Sequence, residues 1–161
     1  MGEDHRIVGI AEYKTARNTE KLAAYGLGSC VAVALYDSLR RTGGMAHVML
    51  PSSRLHAQVT FPGKFADTAL EALVEELEKA GSPRKDLTAK IVGGSNMFSS
   101  IVQVALPIGL RNVAAARAKL GELGIPIVGE AVGGVQGRTI VFSLEDGQIE
   151  IRQLAQPVQY I

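Results

Sequence analysis

Cys30 is the sole cysteine of the chain, and it closes a turn of small residues, Gly26-Leu27-Gly28-Ser29-Cys30. Further along, the apolar run Met45-Ala46-His47-Val48-Met49-Leu50 carries a single histidine. A thiolate attacks carbonyl carbon, and an imidazole can take the thiol proton and hand it to a leaving group. Glycines at 26 and 28 admit backbone conformations closed to other residues and leave nearby amides uncovered. The amides around Gly28, Ser29 and Cys30 are therefore candidate donors to an oxyanion. Taken singly, each residue has a plainer reading. A cysteine beside a valine-rich run is a small buried hydrophobe, and a histidine in an apolar strand is a satisfied core residue. Their pairing changes the balance. Cys30 begins one expected strand, His47 lies in its hairpin neighbour, and adjacent strands bring such side chains to contact distance.

Competing chemistries fit less well. Gly26-Leu27-Gly28 opens a dinucleotide fingerprint, but Val31 stands where its last glycine belongs. The lysine and hydroxyl of a phosphate-binding loop are missing. His5, His47, His56 and Cys30 show no metal-ligand spacing, so neither metal nor cofactor is expected. Glu75 and Glu78 read as a solvated helix face. Met97 and Phe98, flanked by Ser95, Ser99 and Ser100, read as loop residues capping the core.

The elements that must position these groups follow from periodicity. Residues 7–13 read as a first strand, 14–20 as a loop and 22–27 as a second strand leading into the glycine turn. The valine-rich run 31–36 is too short for a stable helix and reads as a buried strand. Residues 37–44 read as a polar connector, and 45–50 as the partner strand of a hairpin stopped by Pro51. A helix is expected over 63–80, with Ala66, Leu70, Leu73, Leu77 and Ala80 on one face and Gly81 and Pro83 ending it. A strand over 87–92 ends at Gly93-Gly94. A second helix spans 110–123, with Gly124 as its stop and Pro126 beyond. Strands follow at 127–132 and 139–144, and Asp146-Gly147 signals a two-residue hairpin into Ile149 and Ile151. The fold class is α+β: a single-domain layered sandwich over 1–161, with mixed, largely antiparallel strands and two main helices.

Composition bounds the function. The chain has 161 residues, 47% hydrophobic and 20% charged, enough for one soluble core. With 17 basic against 16 acidic residues there is no basic stripe, so nucleic acid is not an expected partner. A single cysteine suits a reducing compartment. The charged start, Met1 to Arg6, does not read as a secretory signal, and Arg6 stands where a myristoylation pattern needs Ser or Thr. No apolar run is long enough for membrane insertion. A cytoplasmic protein is expected.

Five segments together resemble the chemoreceptor glutamine deamidase CheD family. They are Gly26-Leu27-Gly28-Ser29-Cys30-Val31-Ala32-Val33, Met45-Ala46-His47-Val48-Met49-Leu50-Pro51, Gly93-Gly94-Ser95-Asn96-Met97-Phe98, Ile108-Gly109-Leu110-Arg111-Asn112 and Gly133-Gly134-Val135-Gln136-Gly137-Arg138. The resemblance implies a protein-glutamine glutaminase of chemotaxis signal transduction. Its members hydrolyse selected glutamines of methyl-accepting chemotaxis receptors to glutamates. It implies Cys30 as nucleophile, His47 as base, and CheC as a partner, the phosphatase acting on phosphorylated CheY. One position departs: where the family usually carries a threonine completing a Cys-His-Thr triad, this chain has Ala24. The third member is left open: a backbone carbonyl, which any residue offers, would preserve catalysis, whereas a need for the hydroxyl would leave His47 poorly oriented and lower the rate. The alternative function is a catalytically weak binding protein that docks CheC and regulates its phosphatase activity.

Overall fold

A computed structural model describes residues 4–97 and 106–161 of the chain. Among these residues, ten strands and two helices form three layers. The first sheet is built from β1 (Arg6–Ile7), β3 (Lys21–Leu27), β8 (Arg138–Ser143), β9 (Ile149–Arg152) and β10 (Gln159–Tyr160), in the order β1-β3-β8-β9-β10. The second contains β2 (Tyr13–Arg17), β5 (Thr42–Val48), β4 (Val31–Asp37), β6 (Thr88–Gly93) and β7 (Ile127–Val132), in the order β2-β5-β4-β6-β7. Pairing is antiparallel except between β1 and β3 and between β6 and β7. Helices α1 (Ala66–Lys79) and α2 (Ile108–Leu123) cover the outer face of the second sheet. This is the expected α+β class, with mixed, largely antiparallel sheets and two main helices.

The central sheet explains why β4 reads as an unbroken apolar run. Val31, Val33 and Leu35 pack toward the helices with Leu70, Leu73, Leu77 and Leu120. Ala32 and Ala34 pack the other way, against Leu22, Leu27, Ile140 and Phe142 of the first sheet. Both faces of β4 are covered, so neither alternates with polar residues. In β8, by contrast, buried Ile140 and Phe142 alternate with half-buried neighbours, as a strand with one covered face should.

Several expected boundaries move. Residues 7–13 are not one strand: β1 is two residues long, and the chain then turns through Ala11, whose φ is +67°, into β2. That segment crosses from one sheet to the other, which a single strand cannot do. The expected loop over 14–20 is therefore mostly β2. The connector after β4 shortens to residues 38–41, because Gly43 and Gly44 lie inside β5. A Cβ on Gly43 would come within 2.3 Å of the Leu35 carbonyl, and one on Gly44 within 2.7 Å of Leu73, so these glycines mark tight packing rather than a turn. Helix α1 starts at Ala66, after a 3-10 turn at Pro62–Lys64 and an extended Phe65, and Ala80 is exposed rather than on its buried face. Helix α2 starts two residues earlier than expected and stops as expected at Gly124, whose φ of +73° is left-handed. The connection from β8 to β9 is a five-residue loop over 144–148, closed by Ser143 N–H donating to the Gln148 carbonyl, not a two-residue turn. No described helix is long and apolar enough to cross a membrane.

Candidate active site

The glycine turn is where the chain passes from β3 in the first sheet to β4 in the second. Gly26 supplies a φ of +62° at the bend, a region that costs other residues roughly 1–2 kcal/mol. Cys30 emerges on the β4 side, partly buried against the layer between the sheets. Its carbonyl accepts from Gly94 N–H at 2.9 Å, which pins it to the end of β6. Among the described residues, no hydrogen bond uses the N–H of Ser29 or of Cys30. Among the described residues these two amides beside the thiol have no partner.

His47 faces the same layer from β5, but not directly opposite Cys30. The β4–β5 register pairs His47 with Ala32. Cys30 is one pleat step further out on the same face, a diagonal neighbour in reach of a long side chain. The ring is 2% exposed. Its Nδ1–H donates to the Val8 carbonyl at 3.0 Å. A carbonyl can only accept, so this bond places the proton on Nδ1 and the lone pair on Nε2. Nε2 is buried and has no hydrogen-bond partner among the described residues. Leaving such an atom unpaired costs about 1–3 kcal/mol, and a fold that tolerates this at one ring nitrogen has kept a base in reserve. The backbone braces the same residue twice: Ala11 N–H donates to the His47 carbonyl and His47 N–H to the Glu12 carbonyl, each at 2.9 Å. The strained turn at Ala11 is what wraps the crossing segment around His47. Ala24 is fully buried in the apolar layer, and Val8, not position 24, holds the ring.

Burial pushes the His47 pKa below its ordinary value, against the opposing pulls of the Val8 carbonyl and the Glu12 carboxylate. Burial also pushes the Cys30 thiol up. At neutral pH the resting pair is therefore neutral imidazole and protonated thiol. For stability the sign is fixed. Between the lowered folded value of His47 and its unfolded value of about 6.5, the unfolded chain binds more protons than the fold. The fold thus loses stability as pH falls through that window, and the full penalty is present below the folded value. We expect the melting temperature of His47→Gln to fall less than that of wild type between about pH 7.5 and pH 5. Parallel falls in paired melting scans would refute this.

A pocket of about 320 Å³ opens over Cys30, lined by Gly28, Ser29, Cys30, Ser95, Asn96, Met97, Pro107, Ile108 and Gly109. Helix α2 meets it end-on. The first bond within the helix runs from Arg111 N–H to the Pro107 carbonyl, so the amides of Ile108, Gly109 and Leu110 have no carbonyl in the helix. The positive end of a helix of 16 residues thus borders the thiol, a setting that favours a thiolate or an oxyanion. Met97, expected in the core, is 56% exposed and packs its sulfur over Gly28. Phe98, Ser99 and Ser100 lie outside the described residues.

Two glycines let α2 approach this closely. A Cβ on Gly109 would lie 2.6 Å from the carbonyl oxygens of both Gly94 and Ser95, and one on Gly94 would lie 2.4 Å from Val113. Gly109→Ala must push backbone against backbone, and we expect a loss of about 1–3 kcal/mol in denaturant unfolding. In the same helix, Gly121→Ala meets nothing within 4 Å and should gain roughly 0.5–1 kcal/mol. Equal effects at the two sites would sink the packing argument.

Gly28, Ser29 and Cys30 line one pocket; His47 is not part of its lining and stands one diagonal register step from Cys30 on the neighbouring strand. Two contributors were not singled out from the sequence. Val8 acts through its carbonyl, which every residue has. Asn112, fully buried in the first turn of α2, donates through Nδ2 to the carbonyls of Ser29 and Met49. Its only sequence signal was its place in the segment Ile108–Asn112.

Residues 49–153 match the family model described as "CheD chemotactic sensory transduction". That match begins just past His47, but full-length relatives span the whole site. The chain is 45% identical over 162 residues to the "Probable chemoreceptor glutamine deamidase CheD" of Clostridium novyi (strain NT), covering 100% of both chains. It is 43% identical over 155 residues to the protein of that name from Desulforamulus reducens, covering 96% of this chain and 93% of the relative. It is 44% identical over 146 residues, 90% of each chain, to that of Clostridium botulinum (strain Hall). A fold-level likeness, with a TM-score of 0.50 at 16% identity, extends over 76% of this chain and 51% of the crystal structure of Bacillus licheniformis hypothetical protein YfiH. With the family model covering more than half of the sequence and relatives aligned end to end, the chain belongs to the CheD family.

Proposed function

We propose that this protein hydrolyses the side-chain amide of glutamines in methyl-accepting chemotaxis receptors, with Cys30 as nucleophile and His47 as general base and acid. The observation that carries the reading is the buried His47 Nε2 lone pair, without a partner among the described residues and one diagonal register step from Cys30, while Nδ1–H is held by Val8. Membership of a family whose curated relatives are named chemoreceptor glutamine deamidases supports the substrate.

At rest the thiol and ring are not hydrogen-bonded. As the carboxamide enters the pocket, the thiol and Nε2 come into contact. The thiol proton passes to Nε2, and sulfur bonds to the amide carbon. The open N–H groups of Ser29 and Cys30 and the amides at the head of α2 stabilise the oxyanion. The carbon–nitrogen bond breaks as His47 returns the proton, so ammonia leaves and a thioester remains. Water then gives a proton to Nε2 and adds to the thioester. The carbon–sulfur bond breaks, sulfur takes the proton back from the ring, and glutamate is released.

The test is to incubate receptor cytoplasmic fragments with the protein and map the amide-to-acid mass change. Conversion at specific glutamines is expected, and none above the enzyme-free background would sink the reading. The family resemblance also makes CheC an expected partner, which a pull-down with purified CheC tests directly.

A further inference from the structure

Asn112 is an unusual occupant of its place. It is 0% exposed on the inner face of α2, where Val113, Ala116 and Leu120 form an apolar seam. An apolar side chain there would cost no desolvation. The asparagine instead spends both of its N–H bonds on two carbonyls, that of Ser29 at 2.9 Å and that of Met49 at 3.0 Å. Its Oδ1 is buried without a partner among the described residues. The two carbonyls sit next to the two reacting side chains. Ser29 immediately precedes Cys30, and Met49 lies just past His47 at the end of β5.

The geometry of the peptide bond makes this contact consequential. No peptide in the described chain is cis, so the Ser29 carbonyl and the Cys30 N–H point in opposite directions. Asn112 holds the Ser29 carbonyl on the β5 side. The Cys30 carbonyl is bonded to Gly94 N–H on the β6 side. Cys30 leads directly into β4, and in extended chain a residue's N–H and C=O share one edge, which would turn the Cys30 N–H to the end of β6 as well. Ser95 and Asn96, just beyond that end, line the pocket.

We propose that Asn112 is a positioning residue for the proposed deamidation: its carboxamide locks the Ser29–Cys30 peptide plane so that the Cys30 N–H faces the pocket as an oxyanion donor, and ties that plane to the strand carrying His47. The proposal rests on the function argued above. Without Asn112 the peptide plane can tip, and the amide leaves the position where the oxyanion forms.

Alkylation of Cys30 by iodoacetamide separates this role from a structural one, because displacement of iodide builds no oxyanion. Asn112→Ala and Asn112→Asp are assayed beside wild type and Cys30→Ala for receptor-fragment deamidation, alkylation rate and thermal unfolding. We expect kcat for deamidation to fall by about 10² or more in both variants, the loss typical of one oxyanion donor, with KM changed by less than about threefold. Alkylation should stay within about threefold of wild type. Deamidation within about twofold of wild type overturns the proposal, as does alkylation that falls in step with kcat. Failure of both variants to fold also overturns it, since Asn112 would then be a residue of the fold. A wild type no better than Cys30→Ala removes the proposed function and this role with it, whereas an active wild type matched by the Asn112 variants removes this role alone.

Discussion

Cys30→Ala is expected to bring receptor deamidation down to the enzyme-free rate, a loss of at least about 10⁴, and His47→Ala is expected to fall nearly as far. The substitutions remove different halves of one step. Without sulfur no thioester forms. Without the ring, a thiol held protonated by burial has no acceptor for its proton, and departing ammonia has no donor. Because the groups act as a unit, the double variant should be no slower than Cys30→Ala by itself. Stability does not account for the loss at Cys30. The side chain is only partly buried at the mouth of the turn, and trimming it to alanine should cost no more than about 1 kcal/mol. Mass mapping of receptor glutamines, paired with thermal melts, checks both halves. A Cys30→Ala protein that keeps about a tenth of the wild-type rate would remove covalent catalysis from this site.

The sequence was readable where side chains carry the information and opaque where the main chain does. The hydrophobic period placed α1 and α2, because one face of each packs on the second sheet. The run Val31–Tyr36 was recognisable as a strand because covering both of its faces leaves no polar alternation. The pairing of Cys30 and His47 followed from a hairpin that is simple to recognise. Its register was not readable: a hairpin of unknown connector length leaves the facing residue open, and Gly43 and Gly44 looked like loop when they are close-packed strand. The segment from Ile7 to Arg17 misled for a related reason. A short apolar stretch that leaves one sheet for another has the composition of a strand, and its turn uses Ala11 instead of a glycine. The third contact on His47 was legible only as a possible backbone carbonyl, not as the residue that supplies it. Position 24 held an alanine where a hydroxyl was sought, and the group that accepts the Nδ1–H bond is a carbonyl brought in by that misread crossing.

That carbonyl carries the second large expectation. Removing residues 1–8 should lower kcat by roughly 10²–10³. Replacing the charged third member of a triad costs about 10⁴ elsewhere. A neutral carbonyl fixes the same tautomer and ring orientation but stabilises the imidazolium less, so its loss should be smaller. β1 is a two-residue edge strand, and β3 keeps its pairing with β8 without it, so the first sheet should persist. Val8→Ala is the discriminating control. It keeps the carbonyl and trims a buried side chain, so it should cost on the order of 1 kcal/mol of stability yet leave kcat within about threefold. Ala24→Thr should not raise kcat by more than about threefold, since the Nδ1 proton it would accept is already held. The truncation also moves the pH profile in a fixed direction. Burial is the main cause of the lowered His47 pKa, and opening the crossing segment to water lets that value rise toward about 6.5. The acid limb of kcat/KM should therefore shift to higher pH in the truncated protein and stay in place in Val8→Ala. A truncated enzyme with unchanged kcat and an unmoved acid limb would mean that His47 is oriented by something other than Val8.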